Sequence, residues 1–144
     1  MTGTARTDTA QLMELLSVSL ASYYGEFTVA AASENLTASQ GKTLTVLRRG
    51  AASMSALATT LTCDASNMTG IVDRLEKRGL VRREPSPSDR RVKNVALTAD
   101  GERVIDTIRG RMQHTVAGLE RLDVQERETL SVLLERVFVE RPAT

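Results

Sequence analysis

The sequence predicts a mostly α-helical α+β fold that carries one small β-hairpin. Three observations predict it: an amphipathic helix pattern at residues 64–79, a proline-interrupted hairpin pattern at residues 80–97, and apolar stripes at helical spacing on both sides. The chain has 144 residues, about one domain, and 41% of them are hydrophobic. Aromatic residues make up only 3%, which favours an aliphatic, helical core over a strand-rich one.

Residues 64–79 have the pattern of a helix with two distinct faces. Asp64 can cap the first turn, and Gly79 stands where a left-handed residue commonly ends a helix. The apolar face comprises Ala65, Met68, Ile71, Val72 and Leu75. The polar face comprises Ser66, Asn67, Thr69, Gly70, Asp73, Arg74 and Lys77. Because short polar side chains near the start of a helix let it approach base edges, this pattern is typical of a helix that enters a DNA major groove.

A basic β-hairpin is predicted directly after this helix, with strands at residues 80–84 and 92–97. Pro85 and Pro87 are expected in the turn, because proline cannot donate to a central ladder. Residues 73–93 contain eight cationic and four acidic side chains, a net charge of +4 in a chain whose total is +1. Positive charge gathered on one helix and hairpin is expected of a protein that binds duplex DNA.

Two helices are predicted before residue 50. The first begins at Asp8 or Thr9 and continues through residue 32. Thr37 and Gln40 have the spacing of a capping box, and they open a second helix over residues 39–49.

A short third helix follows, capped by Ser53 or Ser55, and the turn at residues 62–63 leads into the amphipathic helix. Two short helices joined by a tight turn and followed by a basic hairpin form a helix-turn-helix with a wing. Beyond the wing, Thr98 is expected to cap one long helix reaching residue 119, in which Gly110 and Gly118 allow close approach of another helix.

A last helix is predicted from Asp123, whose spacing to Glu126 is that of a capping box, and Pro142 is expected to end it. The first and last helices carry more apolar surface than a small winged helix needs, and such surface usually marks an interface.

The segment from residue 72 to 81, VDRLEKRGLV, resembles the winged helix-turn-helix of the MarR family of bacterial transcriptional regulators. Asp89 and Arg91, followed by the Leu97–Thr98 pair, strengthen the resemblance, which covers residues 8–141. It implies a homodimer, with residues 8–36 and 99–141 as the helical dimerisation region and residues 37–98 as the DNA-binding lobe. The two amphipathic helices would then enter major grooves roughly 34–36 Å apart and read a near-palindromic operator.

The resemblance also implies roles for the hairpin tip. Arg91 would enter the minor groove and Asp89 would orient it, while Arg90 and Lys93 would contact phosphates. The helix candidates for base and phosphate contact are Ser66, Asn67, Thr69 and Arg74. The alternatives are a solvated tip and an ordinary solvated helix face.

Family members hold small aromatic acids between the dimer helices and the DNA-binding lobe. Tyr23, Tyr24 and His114 are candidates for such a pocket, with a small aromatic or phenolic effector; the alternatives are core packing of the tyrosines and a solvent-facing histidine. Cys63 is a candidate redox sensor, and the alternative is an inert, buried thiol in the turn.

One histidine and one cysteine cannot supply the ligands of a structural zinc site. A catalytic Ser-His-Asp or Cys-His set would have to use His114, the one histidine of the sequence. The sequence also lacks a phosphate-binding glycine loop, so no enzyme, cofactor or metal is expected. The N-terminus has no long apolar run, which predicts a cytoplasmic protein without a signal peptide or membrane span.

Together these patterns predict a sequence-specific regulator that binds double-stranded DNA, as a homodimeric repressor released by a small molecule. Activation instead of repression stays open. The alternatives are a redox-responsive regulator acting through Cys63 and a winged-helix module whose basic surface binds an acidic protein.

Overall fold

The computed structural model describes residues 7–139, which form seven helices and three short strands. The helices are α1 (Thr9–Ser33), α2 (Ala38–Leu47), α3 (Met54–Thr60), α4 (Ala65–Lys77), α5 (Ala99–Arg111), α6 (Gln113–Glu120) and α7 (Val124–Phe138). The strands are β1 (Ala52–Ser53), β2 (Val81–Pro85) and β3 (Lys93–Leu97). The predicted class, mostly helical with a small sheet, is confirmed.

The helix starts follow the capping residues that the sequence offers. Asp8 accepts a hydrogen bond from the Gln11 amide at 2.8 Å and opens α1. Thr37 and Gln40 form the expected capping box at the start of α2, and the Ser53 hydroxyl accepts from the Ala56 amide to start α3. Helix α2 ends at Leu47, two residues earlier than predicted.

The sheet has one strand more than the sequence pattern showed. Strand order is β1-β3-β2, all antiparallel, and Ala52 pairs with Val95. Two residues are too few to show the alternation that marks a strand, so β1 is recognisable only by its pairing. The placement of Pro85 in the turn was wrong: Pro85 ends β2 and pairs with Lys93, which an edge strand tolerates.

The predicted long helix after the wing is interrupted, and this prediction was wrong. Met112 has φ −81° and ψ 59°, which separates α5 from α6. Its side chain lies in the core, and Glu26 of α1 accepts hydrogen bonds from the His114 and Thr115 amides at 2.7 and 3.1 Å. A residue distant in sequence thus caps α6, which has no side-chain cap at its own N-cap residue.

Helix α7 opens at the predicted capping box of Asp123 and Glu126. The expected end at Pro142 lies outside the described residues. Apart from the backbone of its own helix and its two chain neighbours, no described atom lies within 4 Å of where a Cβ would stand at Gly110, and at Gly118 the nearest is the Arg121 guanidinium at 3.8 Å.

The core lies between the end of α1, helices α2 to α5 and the sheet. Its most completely buried large side chains are Leu44, Leu57, Met68, Leu75, Ile105, Ile108, Val72, Val95 and Thr43. Four of the five residues predicted for the apolar face of α4 are buried; Ala65 is exposed, because it is the first residue of the helix.

Helices α1 and α7 keep broad apolar surfaces exposed. The exposed apolar side chains of these two helices include Leu12, Met13, Leu15, Val18, Leu20, Val132, Leu133, Leu134, Val137 and Phe138. Helix α7 has no buried residue. Across the part of the chain that is described, no helix has both the length and the apolarity to cross a membrane.

Candidate nucleic-acid interface

Helix α4 is held at its start by one carboxylate. Asp64 accepts hydrogen bonds from the Asn67 amide at 2.7 Å and the Ser66 hydroxyl at 2.8 Å. The hydrogen bond from the Asn67 backbone N–H, followed by that from the Ser66 hydroxyl, holds the pKa of Asp64 below its usual range. Thr62, with φ 51°, makes the tight turn from α3. The first turn of α4 is therefore fixed by local polar contacts while its face stays in solvent.

The polar face of α4 is exposed as predicted. Ser66, Asn67, Thr69 and Arg74 are all exposed. The Thr69 hydroxyl donates to the Ala65 carbonyl at 2.9 Å, so its oxygen remains free to accept. The face offers an amide, two hydroxyl groups and a guanidinium to a partner.

The tip of the hairpin presents a highly exposed arginine, Arg91. The Arg91 side chain is 92% exposed. Asp89 Oδ1 accepts from the Arg91 backbone N–H at 3.0 Å and from Arg91 Nε at 3.3 Å. This is the geometry expected of an aspartate that orients the arginine. Arg90 and Lys93 beside it are exposed.

Four of the eight cations counted from the sequence are engaged within the chain: Arg91 with Asp89, and three others. Arg78 donates to the Asn35 and Glu34 carbonyls, and Arg82 donates to Glu84 and to the Leu97 carbonyl. Arg83 contacts Asp73 and Glu76. The sequence analysis did not predict these contacts. Only the last could have been indicated, because Asp73 and Glu76 are spaced i,i+3 on one helix face and Arg83 lies in the strand that follows that helix.

The second candidate site lies between α1 and the C-terminal helices. A cavity of about 580 Å³ is lined by residues of α1, α6 and α7, among them Tyr23, His114 and Leu134. Tyr24 does not line it but, together with Tyr23, borders a second cavity of about 660 Å³ between α1 and α7 and a smaller one of about 110 Å³ beside Lys42. The Lys42 ammonium lies 4.1 Å from the Tyr24 ring centroid. The structure thus brings Tyr23 and His114 together and places Tyr24 next to them.

The tyrosines stand at the edge of the core, not within it. Phe27 is buried, whereas Tyr23 and Tyr24 retain 36% and 40% exposure, so plain core packing does not describe them. Partial burial raises the pKa of the Tyr23 phenol; Tyr24 adds to this and Arg109 opposes it. A phenol that stays protonated and borders a cavity can donate a hydrogen bond to a ligand.

Cys63 is half-buried rather than buried as the turn position suggested. Its thiol donates to the Asp64 carbonyl at 3.3 Å and borders a cavity of about 80 Å³. Within residues 7–139, no cluster of three or more His, Cys, Asp or Glu side chains could hold a metal ion.

Comparison with known proteins agrees with this geometry. Residues 36–93 match the model of the MarR family. The chain is 35% identical over 101 residues to the HTH-type transcriptional repressor NicR of Pseudomonas putida, an alignment that covers 69% of this chain and 64% of NicR. A second curated relative, from Thauera aromatica, is 36% identical over 87 residues, and the alignment spans 52% of its length.

Solved structures extend the likeness to nearly the whole chain. RV1404 from Mycobacterium tuberculosis superposes with a TM-score of 0.70 at 26% identity, covering 95% of this chain and 99% of that one. CouR from Rhodococcus jostii RHA1, solved bound to p-coumaroyl-CoA, gives a TM-score of 0.69 at 27% identity and covers 97% and 99%. From its helix-turn-helix, its wing and these relatives, the chain belongs to the MarR family.

Proposed function

We propose that this protein is a homodimeric transcriptional repressor that binds a near-palindromic operator in double-stranded DNA and is released by a small molecule. The observation that carries the proposal is an exposed polar helix, α4, followed by a wing whose Arg91 is 92% exposed and held by Asp89. Helix α4 would read bases in the major groove through Ser66, Asn67, Thr69 and Arg74. We propose repression rather than activation because the relative NicR is a transcriptional repressor.

The wing would widen the contact beyond one groove. The Arg91 side chain, which Asp89 would orient, is 92% exposed, and an arginine of this kind suits a narrow minor groove. Arg90 and Lys93 lie exposed on either side of it and would contact phosphates.

Dimerisation would come from residues 8–36 and 99–141, with residues 37–98 as the DNA-binding lobe. The apolar side chains of α1 and α7 lie in solvent in the single chain. Burial against a second copy would remove the free-energy cost of exposing this apolar surface to water. A twofold pair places two α4 helices on one face of a duplex.

The effector would occupy the cavity of about 580 Å³ bordered by Tyr23 and His114. Its lining is mostly apolar with a few polar groups, a composition suited to a small aromatic or phenolic ligand. CouR, a relative of the same fold, binds p-coumaroyl-CoA. A ligand there acts only if it prefers one spacing of the two α4 helices over another.

The decisive experiment selects bound fragments from the source genome and then measures affinity for the recovered duplex across a salt series. Several phosphate contacts in each subunit predict a slope of log affinity against log salt of about −6 to −10. A flat response, or equal affinity for random duplex, would contradict the proposal. The flat response would favour an acidic protein partner for the basic surface.

Effector binding is tested on the same complex. Titration with p-coumaroyl-CoA and with free p-coumaric acid should release the duplex for at least one of them, and Tyr23→Ala should weaken the release without weakening DNA binding. Release that is unchanged in Tyr23→Ala would exclude this cavity.

A further inference from the structure

One basic side chain of the wing is turned back onto helix α4. From β2, Arg83 Nη2 lies 2.5 Å from Asp73 Oδ1 and Nη1 lies 2.6 Å from Glu76 Oε1. The Arg83 backbone N–H also donates to Glu76 Oε2 at 3.2 Å. We call Arg83, Asp73 and Glu76 the Arg83 cluster.

The cluster joins two elements at the point where the wing leaves the helix. Strand β2 is an edge strand, and its Arg83 N–H is taken by Glu76 of α4. Asp73 and Glu76 are three residues apart, so they meet the guanidinium from successive turns of one helix face. Because a planar guanidinium is held by two carboxylates, the contact fixes the angle between β2 and α4 as well as the distance between them.

Arg83 is also more shielded than the cations at the tip. Its side chain is 26% exposed, compared with 92% for Arg91, while Asp73 and Glu76 are 59% and 41% exposed. Ion pairs in a partly shielded network lose less to solvent screening than isolated surface pairs. Because two carboxylates already neutralise the Arg83 guanidinium, it attracts a phosphate less strongly than a cation without an acidic partner does.

We propose that Arg83 is a positioning residue, which sets the wing relative to α4 through Asp73 and Glu76 so that both can engage one duplex. This rests on the proposed DNA binding. Preorganised elements lose less entropy on binding, so breaking the cluster weakens DNA binding although no DNA contact is removed.

The two acids make the proposal testable. When one of them is removed, electrostatics alone predicts a higher affinity for DNA, whereas the positioning role predicts a lower one. A carboxylate near DNA repels phosphates, so removing one should raise affinity if charge alone matters. If the cluster positions the wing, removing Asp73 should lower affinity instead. Glu84 is a matched control, since it lies on the same strand and contacts Arg82, not α4.

The experiment uses the full-length protein and the duplex recovered by genomic selection, with affinity measured over a salt series. Arg83→Met and Asp73→Asn should each lower affinity about fivefold to tenfold with the salt slope unchanged, and the double variant should lose no more than Arg83→Met alone. Glu84→Gln should leave affinity unchanged or slightly higher. Arg83→Lys keeps the charge but not the fork, and should resemble Arg83→Met.

Three results would overturn the inference: a salt slope reduced by about one in Arg83→Met, which marks a direct phosphate contact; higher affinity in Asp73→Asn; or additive losses in the double variant, which would mean that Asp73 contacts a base. Circular dichroism and thermal unfolding establish that each variant is folded. A wild-type protein without salt-dependent duplex binding would instead contradict the proposed function itself.

Discussion

Arg91 and Arg83 belong to the same hairpin and carry the same charge, yet their surroundings differ. Among the described residues, Arg91 is paired only with its near neighbour Asp89 and is almost fully in solvent, whereas Arg83 is held between two carboxylates of α4. Sequence alone counts both as positive charge. Only their contacts separate a side chain available to DNA from one committed to the fold.

The first prediction concerns Arg91. Arg91→Ala should weaken operator binding and reduce the salt slope by about one, because an exposed cation that neutralises one phosphate region releases about one counterion. Affinity measured at several salt concentrations tests this, with Arg121→Ala, a cation of the turn after α6, as a control for total charge. Unchanged affinity and slope would remove the wing tip from the mechanism.

The second prediction concerns the pKa of Asp64. Hydrogen bonds from Asn67 and Ser66 lower its pKa in the folded protein, so its contribution to stability is present above the unfolded value of about 3.9 and is lost as pH falls through the folded pKa. A carbon-detected NMR titration should give a midpoint below about 3.9. Asp64→Ser keeps a capping oxygen and should lose less stability between pH 4 and 2 than the wild type, whereas equal losses would assign the acid sensitivity elsewhere.

At the scale of elements, the junction between wing and α5 depends on one glycine. Thr98 caps α5, its hydroxyl donates to the Gly79 carbonyl at 2.6 Å, and its amide donates to the Leu80 carbonyl at 3.2 Å. A Cβ at Gly101 would overlap the same Leu80 carbonyl oxygen. Backbone cannot move aside as a flexible side chain can, so this contact requires glycine.

The third prediction is therefore a contrast between two glycines of α5. Gly101→Ala should destabilise the protein by about 1–3 kcal/mol through overpacking. Gly110→Ala, where the described chain leaves open space, should be neutral or stabilising by up to about 1 kcal/mol through helix propensity. Urea unfolding of both variants measures the two changes in the free energy of unfolding. Equal effects would mean that the backbone approach at Gly101 does not constrain the junction.

At the scale of the whole molecule, the single chain has an uneven distribution of apolar surface. The lobe around α2 to α5 buries its apolar residues, whereas α7 buries none and α1 exposes most of its first half. An amphipathic helix without a partner surface is marginal in water, because its packing supplies most of its stability. A second copy of the chain supplies that surface in the proposed dimer.

The fourth prediction follows from this imbalance. Deletion of the residues after Asp123 should abolish dimerisation and, with it, tight operator binding, while the lobe stays folded because α7 contributes no buried residue to its core. Sedimentation velocity gives the mass and circular dichroism the remaining helicity, with the full-length chain at equal concentration as reference. A truncated monomer that binds the operator as tightly would contradict the twofold geometry.

The sequence by itself determined most helix starts, the amphipathic helix and the hairpin. Asp8, Thr37, Asp64 and Asp123 act on amides within three residues, so their effect is legible from spacing alone. The candidate interface was predictable for the same reason: Ser66 to Arg74 and Asp89 to Lys93 are contiguous, local patterns.

Tertiary structure decided what depends on residues distant in the chain. The break at Met112 is stabilised by Glu26, the strand at Ala52 exists only through Val95, and the charge of Arg83 is committed to Asp73 and Glu76. Hydrogen bonds and ion pairs act over a few ångströms in space, whatever the separation in sequence, so no local periodicity could have shown these partners.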